Sequence, residues 1–260
     1  MMTKKADQRR NQILALLDSR RRMNLGELSA QLGLSEAAIR RDLIALEELG
    51  LLKRAQDGAL AIPHYRQRQD HQARMSRNRE KKERIGQVAA SLIGGGECVI
   101  LDSGTTPLQV ARHICADLRL SGGLTVYTAS LPIFREIAGC PGIRLMLLGG
   151  IYRPEHEALV GPQTINNLKD IRVDKIFLGA DGITLSNGVT TAGVLEADVD
   201  RYMLSASREV IVVADSSKIG IIGLVSLIHL GQINMLVTDP DAPPDFLAAV
   251  RHLGVEVILA

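Results

Sequence analysis

The chain lacks the sequence features of a disulfide-bonded or membrane-spanning protein. Only three cysteines are present, Cys98, Cys115 and Cys140, and none belongs to a C-x-x-C pair, so neither a disulfide framework nor a zinc site is indicated. The most apolar run, Ile219 to Leu230, is too short to span a bilayer and contains a histidine. The first residues, MMTKKADQRRNQ, have no apolar core of the kind that a signal peptide needs. These absences predict a cytoplasmic protein with no metal site or cofactor, whose cysteines are ordinary buried thiols.

Charge is unevenly distributed along the 260 residues, of which 46% are apolar. Residues 1 to 84 hold 19 Lys and Arg against 11 Asp and Glu, a net charge of +8, whereas the remaining residues hold 12 against 18, a net charge of −6. A chain of this length can bury two hydrophobic cores. A basic N-terminal segment joined to an acidic body is typical of a DNA-binding domain attached to a sensing or dimerising domain. A general solubility pattern is the alternative.

One stretch, LSEAAIRRDLIALEELGLL at residues 34 to 52, predicts a short amphipathic helix. Ser35 can cap its first turn and Glu36 suits the positive end of the helix dipole, so the helix should begin at Glu36 and end at Gly50. Apolar residues recur at spacings of four and three, and they predict one buried stripe formed by Ile39, Leu43, Leu46 and Leu49.

The opposite face of this helix carries small side chains in its first turn and basic side chains after them. Ala37 and Ala38 would let the backbone approach base edges, and Arg40 and Arg41 could reach phosphates or the acceptors of guanine. A solvated basic face is the alternative for this helix taken alone. The flanking segments favour DNA binding, because they predict two further helices and a three-stranded wing. The helices are Gln12 to Leu17 and Gly26 to Leu32, and the strands are Met23 to Leu25, Leu51 to Arg54 and Ala59 to Ile62, with Gln56-Asp57-Gly58 as the turn between the last two.

The order RRNQILALL followed by LGELSAQLGLSEAAIRRDLIALEELGLLKR resembles the DNA-binding domain of the DeoR-type bacterial transcriptional regulators. The recognition helix of that family carries a serine, then T-I-R-R-D-L, then a terminal glycine. The resemblance implies a winged helix-turn-helix domain over residues 5 to 62. Two departures concern the operator preference, since Ala38 replaces the usual threonine and Gln56-Asp57-Gly58 replaces His-Gly-Gly at the wing tip. The DNA-binding residues expected on this basis are Ser35, Glu36, Ala37, Ala38, Arg40, Arg41, Lys53 and Arg54.

Residues 63 to 78 are polar and basic without a steady apolar period, which predicts a linker with partial helical character. From Arg79 onward, apolar strands alternate with segments long enough for helices, which predicts a Rossmann-like, largely parallel α/β sheet covered on both faces. Ligands bind beyond the carboxyl ends of the strands in such sheets. The predicted strands are Cys98 to Leu101, Leu124 to Thr128, Arg144 to Leu148, Lys175 to Leu178, Val210 to Ala214, Met235 to Thr238 and Glu256 to Leu259.

The loop after the first of these strands, Asp102-Ser103-Gly104-Thr105-Thr106, precedes a predicted helix over Pro107 to Leu118. Backbone N–H groups at the start of that helix, three hydroxyls and the flexible Gly104 would form a nest suited to a phosphate. A turn that merely caps the helix is the alternative interpretation of the same loop.

Small, hydroxylated or charged residues also follow the other strands, and their convergence on one sheet edge favours a polar small-molecule site over structural turns. Lys218 offers a point charge for a phosphate, and Asp181 and Glu196 offer acceptors for sugar hydroxyls. A solvated surface lysine and an ordinary helix-face charge are the alternatives. The predicted effector-binding residues are Asp102, Ser103, Gly104, Thr105, Thr106, Thr128, Ser130, Gly149, Gly150, Asp181, Glu196 and Lys218.

The second half of the chain also resembles the DeoR family. Its segments REKKERIGQVAASLI, LDSGTT, LLGGIYRPEHEALVGP, DKIFLGADGI and VIVVADSSKIG are similar, in order, to the family's C-terminal sensor domain, here residues 79 to 260. The resemblance implies operator DNA and a phosphorylated sugar as partners, and usually repression that the sugar relieves. This sensor domain looks related to ribose-5-phosphate isomerase and glucosamine-6-phosphate deaminase.

Two functions therefore compete. The first is a repressor of a carbohydrate-use operon, which would bind paired half-sites as a dimer or tetramer. The second is a sugar-phosphate isomerase or deaminase-like enzyme with an accessory DNA-binding head, in which Asp181 and Glu196 would transfer protons. An isomerase-like glycine-rich stretch would carry a lysine where this chain has Asn187, and this departure favours the regulator over the enzyme.

Overall fold

The computed structural model describes residues 9, 10, 12–14, 16, 17, 20, 22–48, 52–61 and 73–260. The chain divides into two compact units, Met1–Asp70 and His71–Ala260, which we call the N-terminal and the C-terminal domain. Most of the predicted linker, residues 63 to 72 of 63 to 78, lies outside the described residues.

The N-terminal domain is a winged helix-turn-helix, as the sequence predicted. The residues described between 9 and 20 are helical. The three strands form an antiparallel sheet in the order β1-β3-β2. Leu49, Gly50, Leu51 and Ile62, which the predictions also covered, lie outside the described residues. The elements are β1 (Arg22–Asn24), α1 (Leu25–Leu32), α2 (Glu36–Glu48), β2 (Leu52–Ala55) and β3 (Gly58–Ala61).

Local signals determine where the two labelled helices begin and end. The Asn24 side chain accepts from the N–H of Glu27 at 2.8 Å, and the Glu27 carboxylate accepts from the N–H of Asn24 at 2.8 Å, so the two residues form a capping box at the start of α1. Gly33 ends α1 with a φ of 65°, a left-handed conformation that glycine adopts without steric cost. Ser35 follows, and its hydroxyl accepts from the N–H of Ala38 at 3.4 Å. The helix α2 therefore begins at Glu36, as predicted.

One apolar cluster holds the helices against the wing. Three members of the predicted stripe on α2 belong to it, and Leu49, the fourth, is not among the described residues. Each fully buried side chain of this kind contributes about 1.5–3 kcal/mol to folding. The cluster contains Ile13, Leu14, Leu17, Met23, Leu28, Ile39, Leu43, Leu46, Leu52 and Ala59.

The turn between β2 and β3 is shorter than the predicted Gln56-Asp57-Gly58. Gly58 belongs to β3 and pairs with Ala55, so only two residues form the turn. A Cβ atom at position 58 would lie 2.1 Å from the carbonyl oxygen of Met23. The close approach of β1, rather than the turn, is therefore what requires glycine at this position.

Among its described residues, 73–260, the C-terminal domain contains twelve strands, a helical stretch at residues 73–76 and seven further α-helices. Its strands are β4 (Cys98–Leu101), β5 (Leu124–Thr128), β6 (Ile143–Leu147), β7 (Ile151–Arg153), β8 (Ala158–Val160), β9 (Val173–Leu178), β10 (Gly182–Thr184), β11 (Gly188–Thr191), β12 (Ser207–Val213), β13 (Val225–Ile228), β14 (Met235–Thr238) and β15 (Glu256–Leu259). Its helices are α3 (Arg79–Ala90), α4 (Thr105–His113), α5 (Ala116–Ser121), α6 (Leu131–Ile137), α7 (Pro162–Asn166), α8 (Val194–Ala206) and α9 (Pro244–His252).

The seven predicted strands form one parallel sheet in the order β15-β14-β12-β9-β4-β5-β6. Alternate residues of β4 enter different apolar clusters, because Ile100 joins one cluster while Val99 and Leu101 join the other. Both faces of the sheet are therefore buried, as predicted for a parallel sheet. From β4 the chain continues to β5 and β6 on one side, whereas from β9 it continues to β12, β14 and β15 on the other. The crevice at such a topological switch point is where α/β sheets bind ligands.

The predicted helix Pro107 to Leu118 is wrong in both its bounds and its continuity. The structure has α4 and α5 instead, and α4 begins at Thr105, inside the predicted phosphate loop. The chain turns out of the helix at Ile114, which has a ψ of 125°. The Arg119 side chain donates to the carbonyl oxygens of Ala111, Arg112 and Ile114 at 2.7–3.0 Å. These bonds satisfy carbonyls that the end of α4 leaves open, so the break is stable.

Two small antiparallel sheets lie outside the predicted pattern. One pairs β7 with β8, and the other has the order β10-β11-β13. Their strands have only three or four residues each, which is too short for a reliable alternating pattern. The expectation that the three cysteines are buried is wrong, because Cys115 is exposed and Cys98 and Cys140 are half-buried. Among the described residues, no helix is long and apolar enough to cross a membrane.

Candidate functional site

The helix α2 presents an exposed basic face. Arg40, Arg41 and Ala37 are exposed, whereas Ile39 and Leu43 on the other side of the helix are buried. The Arg41 Nε atom lies 3.4 Å from the carbonyl oxygen of Ala37, so the guanidinium lies along the first turns of the helix. Ser35 and Glu36 at the start of the helix are also exposed, and Ala38 is half-buried. This surface has small side chains at the start of the helix and basic side chains beside them, as expected for a helix that binds in a DNA groove.

Asp42 is the buried anchor of the same helix. Its carboxylate is 2% exposed. Both Nε and Nη2 of Arg9 contact it, the latter at 2.9 Å, and Nε of Arg10 lies 3.2 Å from it. Burial alone would raise the pKa of Asp42, but the hydrogen bonds and charges of Arg9 and Arg10 outweigh it and lower that pKa. Asp42 is the aspartate of the R-R-D-L motif, and its contacts with Arg9 and Arg10 fix α2 against the helical residues that precede β1.

The two predicted basic residues of the wing have different environments. Lys53 is exposed on β2, where it is available to a phosphate. Arg54 instead contacts Glu47 of α2, since its Nε lies 2.5 Å from Oε2 and its N–H donates to Oε1 at 2.9 Å. This pair joins the wing strand to α2, so Arg54 positions the wing in addition to adding positive charge.

A charged cavity lies beyond the carboxyl ends of β4, β9 and β12, next to the switch point of the sheet. Eight of the twelve predicted effector-binding residues line it. They are Asp102, Ser103, Gly104, Thr105, Thr106, Asp181, Glu196 and Lys218.

The predicted phosphate loop forms the start of α4. Gly104 is the N-cap residue, with a φ of 155° and no side-chain cap, so the first N–H groups of α4 have no capping side chain. A Cβ at position 104 would lie 3.3 Å from Cδ of Pro107, which leaves little room for a larger residue. The free N–H groups at a helix start form an anion-binding site.

Asp102 and Asp200 form a buried carboxyl pair beneath this loop. Asp102 accepts from the N–H of Gly179 at 2.9 Å and from the N–H of Ser103, so it joins the ends of β4 and β9. Burial raises the pKa of Asp102 to about 7 and, together with the neighbouring Asp102 charge, raises that of Asp200 well above its ordinary value. Since two buried carboxyl groups in contact do not both ionise readily, the pair keeps a proton near neutral pH.

Asp181 and Glu196 supply further carboxylates at the cavity wall. Asp181 accepts from the N–H of Ala192 at 2.8 Å and from the hydroxyl of Thr191 at 3.2 Å. Glu196 lies in the first turn of α8, and its side chain is 6% exposed. Its Oε1 atom has no hydrogen-bond partner among the described residues and lies 3.8 Å from Nε of Arg153. A buried acceptor without a donor costs free energy, and a ligand hydroxyl would remove that cost.

Four basic side chains line the same cavity: Arg74, Arg77, Lys82 and Lys218. Lys218 lies in a single 3-10 turn after β12, and the described residues provide no ion pair or hydrogen bond for its ammonium group. The cavity thus places cations and acceptors together, an arrangement suited to a ligand that carries an anionic group and hydroxyl groups.

The structure does not place Thr128, Ser130, Gly149 and Gly150 at the cavity. The Thr128 hydroxyl donates to the carbonyl oxygen of Leu101 at 2.8 Å, and Ser130 caps α6. Gly149 accepts from the Thr164 hydroxyl at 2.8 Å, and a Cβ at Gly150 would lie 2.1 Å from that same oxygen. These residues follow β5 and β6, which lie on the far side of β4 from β9 and β12.

Six cavity residues were not identified from the sequence. Thr191 lies on a short strand, His156 lies in the turn between β7 and β8, and Asp200 lies on a buried helix face. The spacing of Glu196 and Asp200, four residues apart on α8, was the one available signal for Asp200. Arg74 and Arg77 fall in the predicted linker. The six residues are Arg74, Arg77, Lys82, His156, Thr191 and Asp200.

A winged helix with an exposed basic face, joined in one chain to a parallel α/β domain with a charged cavity, defines a ligand-responsive DNA-binding regulator. The DeoR-like helix-turn-helix domain matches residues 9–64, and the DeoR C-terminal sensor domain matches residues 77–240. The chain therefore belongs to the DeoR family and is a DNA-binding transcription regulator. Because the members of this family are transcription factors, family membership confirms the regulator and not the enzyme of the two competing functions.

Individual relatives agree with this assignment. The HTH-type transcriptional regulator GolR of Listeria innocua is 32% identical over 97% of this chain and 98% of its own length. The HTH-type transcriptional repressor GlcR of Bacillus subtilis is 33% identical over 95% of this chain and 93% of its own length. Among solved structures, ribose 5-phosphate isomerase A of Methanocaldococcus jannaschii has a TM-score of 0.40 at 19% identity and covers 55% of each chain. A similarity at that level carries no information on activity.

Proposed function

We propose that this regulator is a cytoplasmic repressor of a carbohydrate-use operon, and that a phosphorylated sugar releases it from its operator. The observation that carries the proposal is the composition of the cavity. It combines open backbone N–H groups at the start of α4, an ammonium group at Lys218 for which the described residues provide no ion pair, and carboxylate acceptors at Asp181 and Glu196.

The proposed ligand would be held at two ends. Its phosphate would lie at Ser103 to Thr106, where the helix N-terminus and the Lys218 ammonium group both favour negative charge. Its hydroxyl groups would donate to Asp181 and to the open Oε1 of Glu196. A free sugar lacks the phosphate end, so we expect it to bind much more weakly.

The N-terminal domain would hold the operator through α2 and the wing. Arg40 and Arg41 would reach base edges or phosphates, Ser35 to Ala38 would approach the groove, and Lys53 would contact the backbone. Winged-helix domains of this type bind paired half-sites, so we propose a dimer or tetramer. Three neighbouring residues of the C-terminal domain, Ile221, Ile222 and Leu224, are 47–75% exposed and are suitable for such an interface.

The proposed switch needs only a modest coupling free energy. A ligand that favours one arrangement of the DNA-binding domains by about 1–3 kcal/mol changes operator affinity about 5- to 150-fold. A change of this size is enough to occupy or vacate an operator over a physiological range of ligand concentration.

Fluorescence anisotropy tests the proposal. The purified chain is titrated onto a DNA fragment from upstream of its own gene at one fixed salt concentration, because phosphate contacts make affinity strongly salt-dependent. Phosphorylated sugars and their free forms are then added in turn, and the same mixtures are assayed for sugar-phosphate turnover. We expect selective binding that one phosphorylated sugar releases and its free form does not. No preference over random DNA, or turnover of a sugar phosphate, would overturn the proposal.

A further inference from the structure

We propose that residues 73–78, the last part of the predicted linker, form one wall of the effector site and couple effector binding to the rest of the linker. We call them the arginine segment. The inference rests on the proposed function for the ligand class, but it concerns residues that the sequence predicted to be part of a linker. It assigns Arg74 to anion binding and Asn78 to positioning.

Arg74 lies at the cavity wall, where protein contacts orient its guanidinium group. One of its terminal nitrogens donates to the carbonyl oxygen of Glu155, and the other lies 3.4 Å from Nδ1 of His156 and 4.0 Å from Oδ1 of Asp181. Its Nε atom is buried and has no hydrogen-bond partner among the described residues. An arginine binds an oxyanion best through two parallel N–H groups, and the guanidinium retains that capacity here at the cavity wall.

Arg77 adds a second positive charge to the same wall. It lines the cavity and is exposed, and the described residues provide no ion pair for it. Arg74, in the helical stretch 73–76, and Arg77, in the turn after it, therefore bring charge to the cavity from residues that precede α3. An anion in the cavity would attract both side chains and so hold the segment against the strand ends.

The arginine segment is fastened to the cavity floor by buried polar contacts. The Lys82 ammonium group donates to the carbonyl oxygen of Arg77 at 2.6 Å and to that of Arg74. Burial lowers the pKa of Lys82 to about 8. A nearby anion would therefore stabilise the charged form of this side chain. Asn78, with a left-handed φ of 52°, donates from its side-chain amide to Asp215 Oδ1 at 2.8 Å.

The contact of Asn78 with Asp215 links the arginine segment to a second part of the site. Asp215 accepts from the N–H of Ser217 at 3.1 Å and precedes Lys218, so it organises the turn that carries that lysine. Lys81 reinforces the link, because its ammonium group lies 2.8 Å from Asp239 and 2.9 Å from the Ser216 hydroxyl. Binding at Lys218 and ordering of the arginine segment are therefore expected to occur together.

Hydrogen exchange of the intact chain tests the first part of the proposal, with inorganic phosphate and the operator-releasing sugar phosphate as probes. We expect slower amide exchange at residues 73–78 when either probe binds. Arg74→Ala should weaken phosphate binding about tenfold or more, because a hydrogen bond to a charged group contributes about 1.5–3 kcal/mol. Arg74→Lys keeps the charge but not the planar pair of N–H donors, so it should restore only part of the affinity. The matched control is Arg79→Ala, since Arg79 is 70% exposed and pairs with Glu83 away from the cavity.

Asn78→Gly separates positioning from binding. Glycine keeps the left-handed conformation and removes only the amide that contacts Asp215. We expect sugar phosphate binding to change less than about threefold, while the ratio of operator affinities without and with the sugar falls toward one. Equal loss of binding and coupling would show that Asn78 has only a structural role.

The outcomes distinguish this inference from the proposed function. Protection at residues 102–106 without any change at residues 73–78, or normal phosphate binding by Arg74→Ala, would overturn the inference and leave the proposed function intact. Protection at residues 73–78 by phosphate in a protein that no sugar phosphate releases from DNA would support the effector-site wall and overturn the proposed function.

Discussion

The two domains use their charges in opposite ways. In the N-terminal domain the cations proposed to contact DNA, Arg40 and Arg41, are exposed on a helix whose other face is buried. In the C-terminal domain the charges proposed to bind the effector line a cavity, and Asp102, Glu196 and Asp200 are buried there. Exposed charges give affinity that salt screens, whereas buried charges give selectivity through desolvation. The exposed charges of the N-terminal domain suit DNA, a large polyanion, and the buried charges of the C-terminal domain suit a small ligand.

The pKa values of one buried carboxylate in each domain change in opposite directions. Asp42 is paired with Arg9 and Arg10, and its pKa is lowered. Asp200 contacts another carboxyl group, and its pKa is raised. Both side chains are largely buried, at 2% and 6% exposure. The cations Arg9 and Arg10 outweigh the effect of burial on the pKa of Asp42, whereas at Asp200 burial and the neighbouring carboxyl groups raise the pKa together.

The largest expected effect is on the effector response. Lys218→Ala should raise the sugar phosphate concentration that half-releases the operator about 10- to 150-fold, since a charged hydrogen bond contributes about 1.5–3 kcal/mol. Anisotropy titrations of operator DNA measure this concentration. Lys169→Ala, which removes an exposed lysine of the same domain, is the matched control and should behave as the wild type. A normal response of Lys218→Ala would remove this lysine from the site.

The complementary change in the N-terminal domain should affect DNA alone. Arg41→Ala should weaken operator binding about 5- to 150-fold, because a base or phosphate contact contributes about 1–3 kcal/mol, and should leave sugar phosphate binding unchanged. Arg208→Ala removes the same charge from a side chain that is 79% exposed in the other domain, so it serves as the control. Binding by Arg41→Ala that equals the control would show that α2 faces the DNA differently.

A third change tests whether the β6 end has a structural role. Gly150→Ala should destabilise the C-terminal domain by about 1–3 kcal/mol, because the new Cβ would lie 2.1 Å from Oγ1 of Thr164. Denaturant unfolding followed by tyrosine emission reports this domain, which contains Tyr127, Tyr152 and Tyr202, whereas residues 1–62 contain no aromatic residue. An unchanged unfolding midpoint together with a weaker sugar phosphate response would instead return Gly150 to the effector site.

The last expected effect is on the pH dependence of stability, which should differ in sign between the domains. The raised pKa values of Asp102 and Asp200 mean that the C-terminal domain loses stability as pH rises from about 4, the value in unfolded chains, through about 7, where Asp102 titrates. The lowered pKa of Asp42 means that its contribution to the N-terminal domain is complete above about pH 4 and is lost below it.

Hydrogen exchange at several pH values resolves the two domains separately. Asp200→Asn should flatten the pH dependence of the C-terminal domain between about pH 4 and 7, and Asp42→Asn should flatten that of the N-terminal domain in more acidic solution. A C-terminal domain whose stability rises over the same interval would contradict the protonated carboxyl pair.

The N-terminal domain was predictable because its signals are local. The cap at Ser35, the stripe of Ile39, Leu43 and Leu46, and the Asp-Gly turn act within a few residues of one another. The exception was Gly58, whose role depends on a strand that lies more than thirty residues away in sequence, at Met23. Only a contact between distant segments could have identified it.

The cavity was less predictable because it depends on strand order. The seven strands of the parallel sheet are apolar runs and were all identified, but the sequence contains no signal for which strands are neighbours. Thr128, Ser130 and Gly150 follow strands on the wrong side of the switch point, whereas Ser103, Asp181 and Lys218 follow strands on the right side. Arg74 lies in polar sequence without any period, and only folding places it beside the strand ends.

The central claim is that the cavity of one domain controls DNA binding by the other. The most direct test measures the coupling in both directions, because linkage requires the same factor in each. We expect the sugar phosphate to weaken operator binding about 5- to 150-fold, and operator DNA to weaken sugar phosphate binding by the same factor in calorimetry at equal salt. Sugar phosphate affinity that is identical with and without saturating operator DNA would contradict the account.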